Sequence, residues 1–396
     1  MRWLTQTFAV MALNVRTIPQ RLSSSAVAIV GIAGVVVVFL SVLSIAAGFS
    51  AAMSQSGSPR RALVMRSGAD SEMTSGVNGD EVSIIKQAPG LQRDGQTALA
   101  SAELYVIIDL PKKSSPDAPA NVPMRGIEPS AMKVRDEVSV IEGRMFQFGT
   151  NEVIVGRGAH AQFANLEVGG TVVSGENRWQ VVGVFEDDGG VAESEVWADA
   201  RVLQGAYRRG NTYQSVLASL DSADSLTAFN AWLTTNPALN VMVRRENEYY
   251  AGQSQALTRL IRTVGYGIAG LMGIGAIFGA ILTMYTAVST RAREIATLRA
   301  LGFDTSAVLV SVLGESLVLG AIGGLIGGAV AYLGFNGYQT STMNFQTFSQ
   351  VAFAFAVTPG LLIQGLSYAL LMGLIGGLFP AIRAARLPIP SALREL

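Results

Sequence analysis

The sequence predicts a membrane α-helical protein with four transmembrane helices and an extracytoplasmic α+β domain inserted between the first and second. Three observations carry this. Four stretches are apolar and uncharged over a span's length, residues 50–262 form a long mixed segment between the first two, and arginines gather on one side of the resulting topology. Charged residues make up only 15% of the chain, against about 25% in soluble domains.

The first span is placed at 22–49. No charge occurs from Leu22 to Pro59, and Ala26–Ala47 is a dense apolar run. At about 1.5 Å per residue that run covers about 33 Å, enough for a hydrocarbon core of about 30 Å. It is too long, and lies too far from the start, for the short apolar region of a cleaved signal peptide. The second span is 263–290, again without charge. Residues 316–382 carry none either, a stretch too long for one helix, so the third and fourth spans are placed at 305–335 and 359–382. Between them, 336–358 is polar and reads as a short extracytoplasmic loop.

Residues 1–21 precede the first span. Trp3, Leu4, Phe8, Met11, Val15 and Ile18 recur at helical spacing there, which predicts a cytoplasmic amphipathic helix lying in the headgroup layer and turning at Pro19. With four spans, the N-terminus, the 291–304 link and the 383–396 tail share one side. They hold nine arginines against three acids, or four when Glu315 in the third span is counted. The excess of basic residues on the inner side of membranes therefore puts them in the cytoplasm and residues 50–262 outside. The protein is expected in the cytoplasmic membrane.

Within the outer segment, strands are expected at Ala62–Met65, Leu104–Leu110, Glu152–Val155, Thr171–Ser174, Trp179–Phe185, Val196–Ala198 and Ser215–Leu220. Helices are expected at Ser225–Thr234 and Glu246–Arg262, and Lys112–Pro119 reads as a loop. The last helix keeps its spacing into the second span, which predicts one continuous rod.

Several kinds of chemistry are excluded. There is no cysteine, hence no disulfide or thiolate site. The four lysines, Lys86, Lys112, Lys113 and Lys133, never follow a glycine, so no phosphate-cradling G-x-x-x-x-G-K loop exists. The single histidine, His160, reads as a surface or helix-start residue. Glu186, Asp187, Asp188, Glu193 and Glu195 read as a solvated Gly-rich loop in preference to a cation site. Nothing points to catalysis, a metal or nucleic acid.

The 291–304 link is predicted to hold a short helix with Ile295 and Leu298 on one apolar face, Arg291 and Glu294 able to pair, Gly302 as terminator, and Asp304 or Thr305 starting the next helix. Glu315, inside the third span, is expected to face the bundle and pair there. Gly275 and Gly279, Gly320, Gly324 and Gly328, then Gly373 and Gly377 recur every four residues, a spacing that lets helices approach closely. That spacing suits packing within the chain or between two copies.

Ser289–Gly302 (STRAREIATLRALG), Val308–Glu315 (VLVSVLGE), Gly376–Pro388 (GGLFPAIRAARLP) and Ala392–Arg394 closely resemble the membrane half of MacB/FtsX-type ABC permeases. In the outer segment, Gly126–Pro129 (GIEP), Glu142–Phe146 (EGRMF), Glu152–Gly156 (EVIVG) and Val181–Phe185 (VVGVF) look like the MacB-type core domain. The resemblance implies a permease subunit of an export complex, working as a dimer with a second copy or paralogue and with two copies of a cytoplasmic ATPase. ATP and Mg would be bound by that partner, with no cofactor in this chain. Motion of the ATPase would be relayed to the outer domain, a process called mechanotransmission, moving a lipoprotein, lipid, peptide or drug-like substrate. Arg291, Arg293, Glu294, Ile295, Leu298, Arg299 and Gly302 are implied to couple to the ATPase. MacB carries its ATPase fused ahead of the first span, so split members such as LolC/LolE are the nearer expectation. Membrane lipids and a periplasmic adaptor or substrate-binding protein are further expected partners. The alternative is an FtsX-like relay activating an outer partner such as a cell-wall hydrolase. The size of the outer segment favours the exporter.

Overall fold

A computed structural model describes residues 22–389; the expected N-terminal amphipathic helix and the last residues of the tail lie outside them. Among the described residues the helices are α1 (Leu22–Gln55), α2 (Gly79–Ile85), α3 (Ala131–Val134), α4 (Arg157–Gln162), α5 (Ala200–Ala206), α6 (Ser225–Thr235), α7 (Glu246–Thr290), α8 (Ala292–Ala300), α9 (Thr305–Phe335) and α10 (Pro359–Ala385). Four of them, α1, α7, α9 and α10, are long and apolar enough to cross a membrane. The chain divides into two compact units, one holding those spans and the other residues 48–258 with 339–354.

In the helical unit, α1, α7, α9 and α10 share a core of Ile32, Val36, Leu40, Ala269, Ala331, Ala369 and Met372. A second cluster of Met284, Val288, Ile295, Val308, Val312, Ala381 and Ala384 brings in α8. The tightest pair is α9 against α10. A Cβ on Gly320 would lie 2.8 Å from the Ala369 carbonyl oxygen, and one on Gly373 2.8 Å from that of Ser316. Both neighbours are backbone and cannot yield, so glycine is required by close approach.

The other unit is built on a ten-stranded sheet of β1 (Arg61–Arg66), β2 (Ala100–Lys112), β3 (Ser115–Ile127), β4 (Ser139–Gly143), β5 (Glu152–Gly156), β6 (Thr171–Ser174), β7 (Asn177–Glu186), β8 (Val196–Asp199), β9 (Ser215–Ser219) and β10 (Val241–Arg245). Its order is β10-β1-β9-β2-β3-β8-β5-β7-β4, with β6 paired to β7. One core, around Val64, Val216, Phe229 and Leu233, lies under the β10 end with α2 and α6. Two more, around Trp179 and around Phe185 and Trp197, fill the β3-β8-β5-β7 end.

Two loop expectations are corrected. Lys112–Pro119 is the tip of the β2–β3 hairpin, with Pro111 opposite Pro119. Pro116, Pro119 and Pro123 hid β3, because proline reads as a breaker. β3 tolerates them because β8 pairs only with Met124–Ile127, which leaves the proline segment with one partner strand. The 336–358 loop is also ordered. It contains the hairpin β11 (Gln339–Asn344) and β12 (Ser349–Ala354), paired Gln339 to Ala354 through Asn344 to Ser349. Its threonines suit a strand, and alternate Val351 and Phe353 are buried, while its polar side chains disguised it. Those side chains bond within the outer unit. The Tyr105 and Ser349 hydroxyls are 3.2 Å apart, the Asn121 amide donates to the Phe348 carbonyl at 2.8 Å, and Ala352 N–H donates to Ser194 Oγ at 2.8 Å.

Candidate functional site

At one end of the helical unit, α7 gives way to α8 and then to α9 within a few residues. The elbow is closed by a Schellman-type turn. Gly302, with φ of +91°, sits past the end of α8, its N–H donating to the Arg299 carbonyl and that of Phe303 to Leu298, each at 3.1 Å. Asp304 then caps α9, accepting from Ser306 N–H at 3.4 Å.

Arg291 is the hinge between α7 and α8, and its Nη1 lies 3.0 Å from Glu315 Oε2 on α9. Both side chains are buried, so each charge depends on the other for compensation. Glu315 thus has the partner that sequence alone did not name, Arg291, whereas Glu294, which was expected to pair with Arg291, is exposed. The ion pair lies on the wall of a cavity of about 300 Å³ that Met284, Glu294, Ile295, Leu298 and Val312 also line. Arg299 donates to the Leu387 carbonyl beyond α10, and the Arg383 guanidinium stands 5.3 Å from the Tyr285 ring. The ends of α7, α8 and α10 are thereby tied together.

Ile295 is only 7% exposed and packs in the bundle's own core, on the wall of the same cavity. Leu298 is half-buried, while Arg293, Glu294 and Leu301 are exposed, Leu301 at 73%. The 3.6-residue period identified an apolar stripe correctly but could not say which body it faces. Leu301 was missed because it sits in the turn and shares no stripe.

The glycines divide into two groups. Gly320, Gly324, Gly373 and Gly377 lie on the α9–α10 contact, and Gly328 faces Leu362 at 3.5 Å. Gly275 and Gly279 on α7 have nothing within 4 Å of an added Cβ.

The outer unit contains a feature unread in the sequence. The Arg125 guanidinium on β3 is buried among three carboxylates, donating to Glu195 at 2.7 and 2.8 Å, to Glu72 at 2.8 and 3.1 Å and to Glu103 at 2.8 Å. Arg135 grips Glu103 from the other side. Burial opposes ionisation of Glu103, but the two guanidiniums outweigh it and hold its pKa below the ordinary carboxylate value. Arg61 on β1 pairs with Glu137 and with Glu246, the first residue of α7. Ser58 N–H also donates to Glu246, and the Tyr249 hydroxyl accepts from Glu72 N–H at 3.0 Å. The first turn of α7 is therefore anchored to the sheet. A sequence signal existed: Glu103 and Arg125 stand inside otherwise apolar strand runs.

The acidic loop is not solvated as expected. Glu193 and Glu195 are buried, Glu193 accepting from the N–H groups of Asp187 and Gly189 and from Arg157. Among the described residues no cluster of three His, Asp or Glu could hold a metal. His160 lies in the last turn of α4. The resemblance motifs have structural reasons. Gly143 has φ of +72°, where a Cβ would strike the Val182 carbonyl oxygen, and Arg144 forks onto Glu152.

Family comparisons follow this division. The MacB-like periplasmic core domain matches residues 25–236, more than half the chain, and the FtsX-like permease C-terminal domain matches 266–389. The chain belongs to the MacB/FtsX-type ABC transporter permeases. It is thus a membrane protein with an extracytoplasmic core domain between its first and second apolar helices. The uncharacterized ABC transporter permease YknZ of Bacillus subtilis is 26% identical over 231 residues, 54% of each chain. The macrolide export ATP-binding/permease protein MacB of Hyphomonas neptunium is 28% identical over 57% of this chain and 35% of that one. The MacB of Bdellovibrio bacteriovorus is 29% identical over 35% and 21% respectively. The chain therefore spans about half the length of YknZ or less than that of MacB. Among solved structures, the extracellular domain of YknZ aligns with TM-score 0.36 at 18% identity, over 46% of this chain and 99% of that one. The periplasmic region of MacB from Actinobacillus actinomycetemcomitans aligns at 0.37 and 12%, over 50% and 93%.

Proposed function

We propose that this permease transmits ATP-driven motion of a separate cytoplasmic ATPase pair to its outer domain, and so drives export of a lipoprotein, lipid, peptide or drug-like substrate. The observation that carries this reading is α7. One unbroken helix of 45 residues, about 68 Å at 1.5 Å per residue, begins at the Arg61–Glu246 anchor and ends at the Arg291 elbow. A helix of this kind transmits displacement, whereas a flexible linker does not.

In this reading α8 is the contact with the ATPase. Arg293, Glu294 and Leu301 meet it, Ile295 and Leu298 hold α8 on the bundle, and Arg299 and Gly302 fix the far side of the turn. The Arg291–Glu315 pair locks the elbow to α9, so that a push on α8 turns the bundle and not the turn alone. ATP and Mg belong to the partner. Both termini and α8 face the cytoplasm, in line with the arginine excess. The permease works as a pair with a second copy or paralogue, and Gly275 and Gly279 are free on α7 for such a contact.

The test is co-purification with a P-loop ATPase, followed by substrate-stimulated ATP hydrolysis. The double variant Arg293→Glu/Leu301→Asp, on exposed positions, is expected to lose at least tenfold in ATPase recovery while staying folded. Recovery of no ATPase with the wild-type chain, or equal recovery with the variant, would overturn the reading. Capture of a cell-wall hydrolase without substrate release would favour the relay alternative.

A further inference from the structure

The outer unit has a second cavity, of about 400 Å³, with Asp70, Thr74, Arg244, Tyr249, Gln253 and Gln346 on its walls. This is at the small end of ligand pockets, which run from about 300 to 1,000 Å³. Three of its polar groups are uncommitted. Among the described residues neither the Asp70 carboxylate nor the Arg244 guanidinium has an ion-pair or hydrogen-bond partner, although they share one cavity. Gln253 is only 6% exposed, and its carbonyl oxygen accepts from the Asn344 amide at 2.7 Å. Its Nε2 has no partner. A buried amide left unsatisfied is unfavourable, and a donor on a cavity wall is satisfied by whatever enters.

We propose that this cavity binds a zwitterionic ligand of the amino-acid or short-peptide class. The ligand ammonium is taken by Asp70, its carboxylate by Arg244, and a carbonyl oxygen by the Gln253 amide. Opposite charges facing a common space without pairing suit a ligand that carries both, and a single-sign ligand would leave one of them opposed. Gln253 stands on α7 and Gln346 in the β11–β12 turn, so occupancy bridges two segments of the outer unit. The proposal goes beyond the ATP-coupling reading and stands without it, since binding needs no ATPase.

The experiment uses the full chain in detergent, with triglycine as probe and N-acetyl-triglycine amide, which lacks both charges, as control. Titration calorimetry is expected to show saturable triglycine binding at least tenfold tighter than the capped control. Asp70→Asn and Arg244→Gln, both at exposed positions that the fold tolerates, should each weaken triglycine at least tenfold. Absence of saturable triglycine binding, equal binding of the capped peptide, or indifference to both substitutions would each overturn the assignment. Each of those results leaves ATPase recovery unaffected, so the two readings fail separately.

Discussion

The two units bury polarity in opposite ways. The outer unit encloses whole charges: Arg125, Arg135 and Arg61 stand among Glu72, Glu103, Glu195, Glu137 and Glu246, each held by several bonds. The helical unit reaches its density through glycine at the α9–α10 contact, and among its described residues the buried ion pair is Arg291–Glu315. Burial of a charge is tolerable only with a full set of partners, which ten strands can supply from many directions. Apolar helices in a membrane lack those partners and gain cohesion by bringing backbones together. The exception in the helical unit lies at the elbow, where a charged lock has a proposed mechanical use.

The largest effect that could break this comparison is at Arg125. Arg125→Met leaves Glu72, Glu103 and Glu195 without their common partner, and should destabilise the outer unit by about 4 kcal/mol, read by limited proteolysis of the full chain. A small effect would mean that the network is not compensating buried charge. Gly320→Leu is next, at about 3 kcal/mol, because the new side chain meets the Ala369 backbone; thermal unfolding in detergent reads it. Glu315→Ala should lower stability by about 3 kcal/mol as well, whereas the apolar double variant Arg291→Met/Glu315→Leu should stay near wild type yet lose coupling.

A smaller effect concerns Asp187. Burial, with added repulsion from Glu137, raises its pKa from 3.8 to about 7. The unfolded chain releases that proton near pH 4 while the folded chain keeps it until about 7. Across that window the folded state binds more protons, so stability falls as pH rises. Asp187→Asn should flatten this dependence. Smallest of all is Gly279→Leu, expected within about 0.5 kcal/mol for the isolated chain, because nothing stands within 4 Å of an added Cβ. A large loss there would contradict the division of the glycines.

The spans were legible because lack of charge is a one-dimensional signal, and α7 because its period has no break. Other features depend on what lies across space. Arg291 and Glu315 are 24 residues apart and meet only because Gly302 turns the chain. Ile295 follows the expected period yet faces inward. The β11–β12 hairpin is polar in sequence, but Tyr105, Asn121 and Ser194 satisfy its polar groups, and only the fold reveals those partners. Glycine spacing of four marked both helix pairs and could not tell the packed one from the open one.

The central claim is that α7 acts as a stiff transmitter, and the absence of cysteine allows a direct measurement. Spin labels at an introduced Asn230→Cys on paired outer domains would report their separation with and without ATP in the complex with the ATPase. The account expects an ATP-dependent change in distance that disappears when three glycines are inserted between Arg262 and Thr263, with ATPase binding retained. An unchanged response in the insertion variant would contradict it.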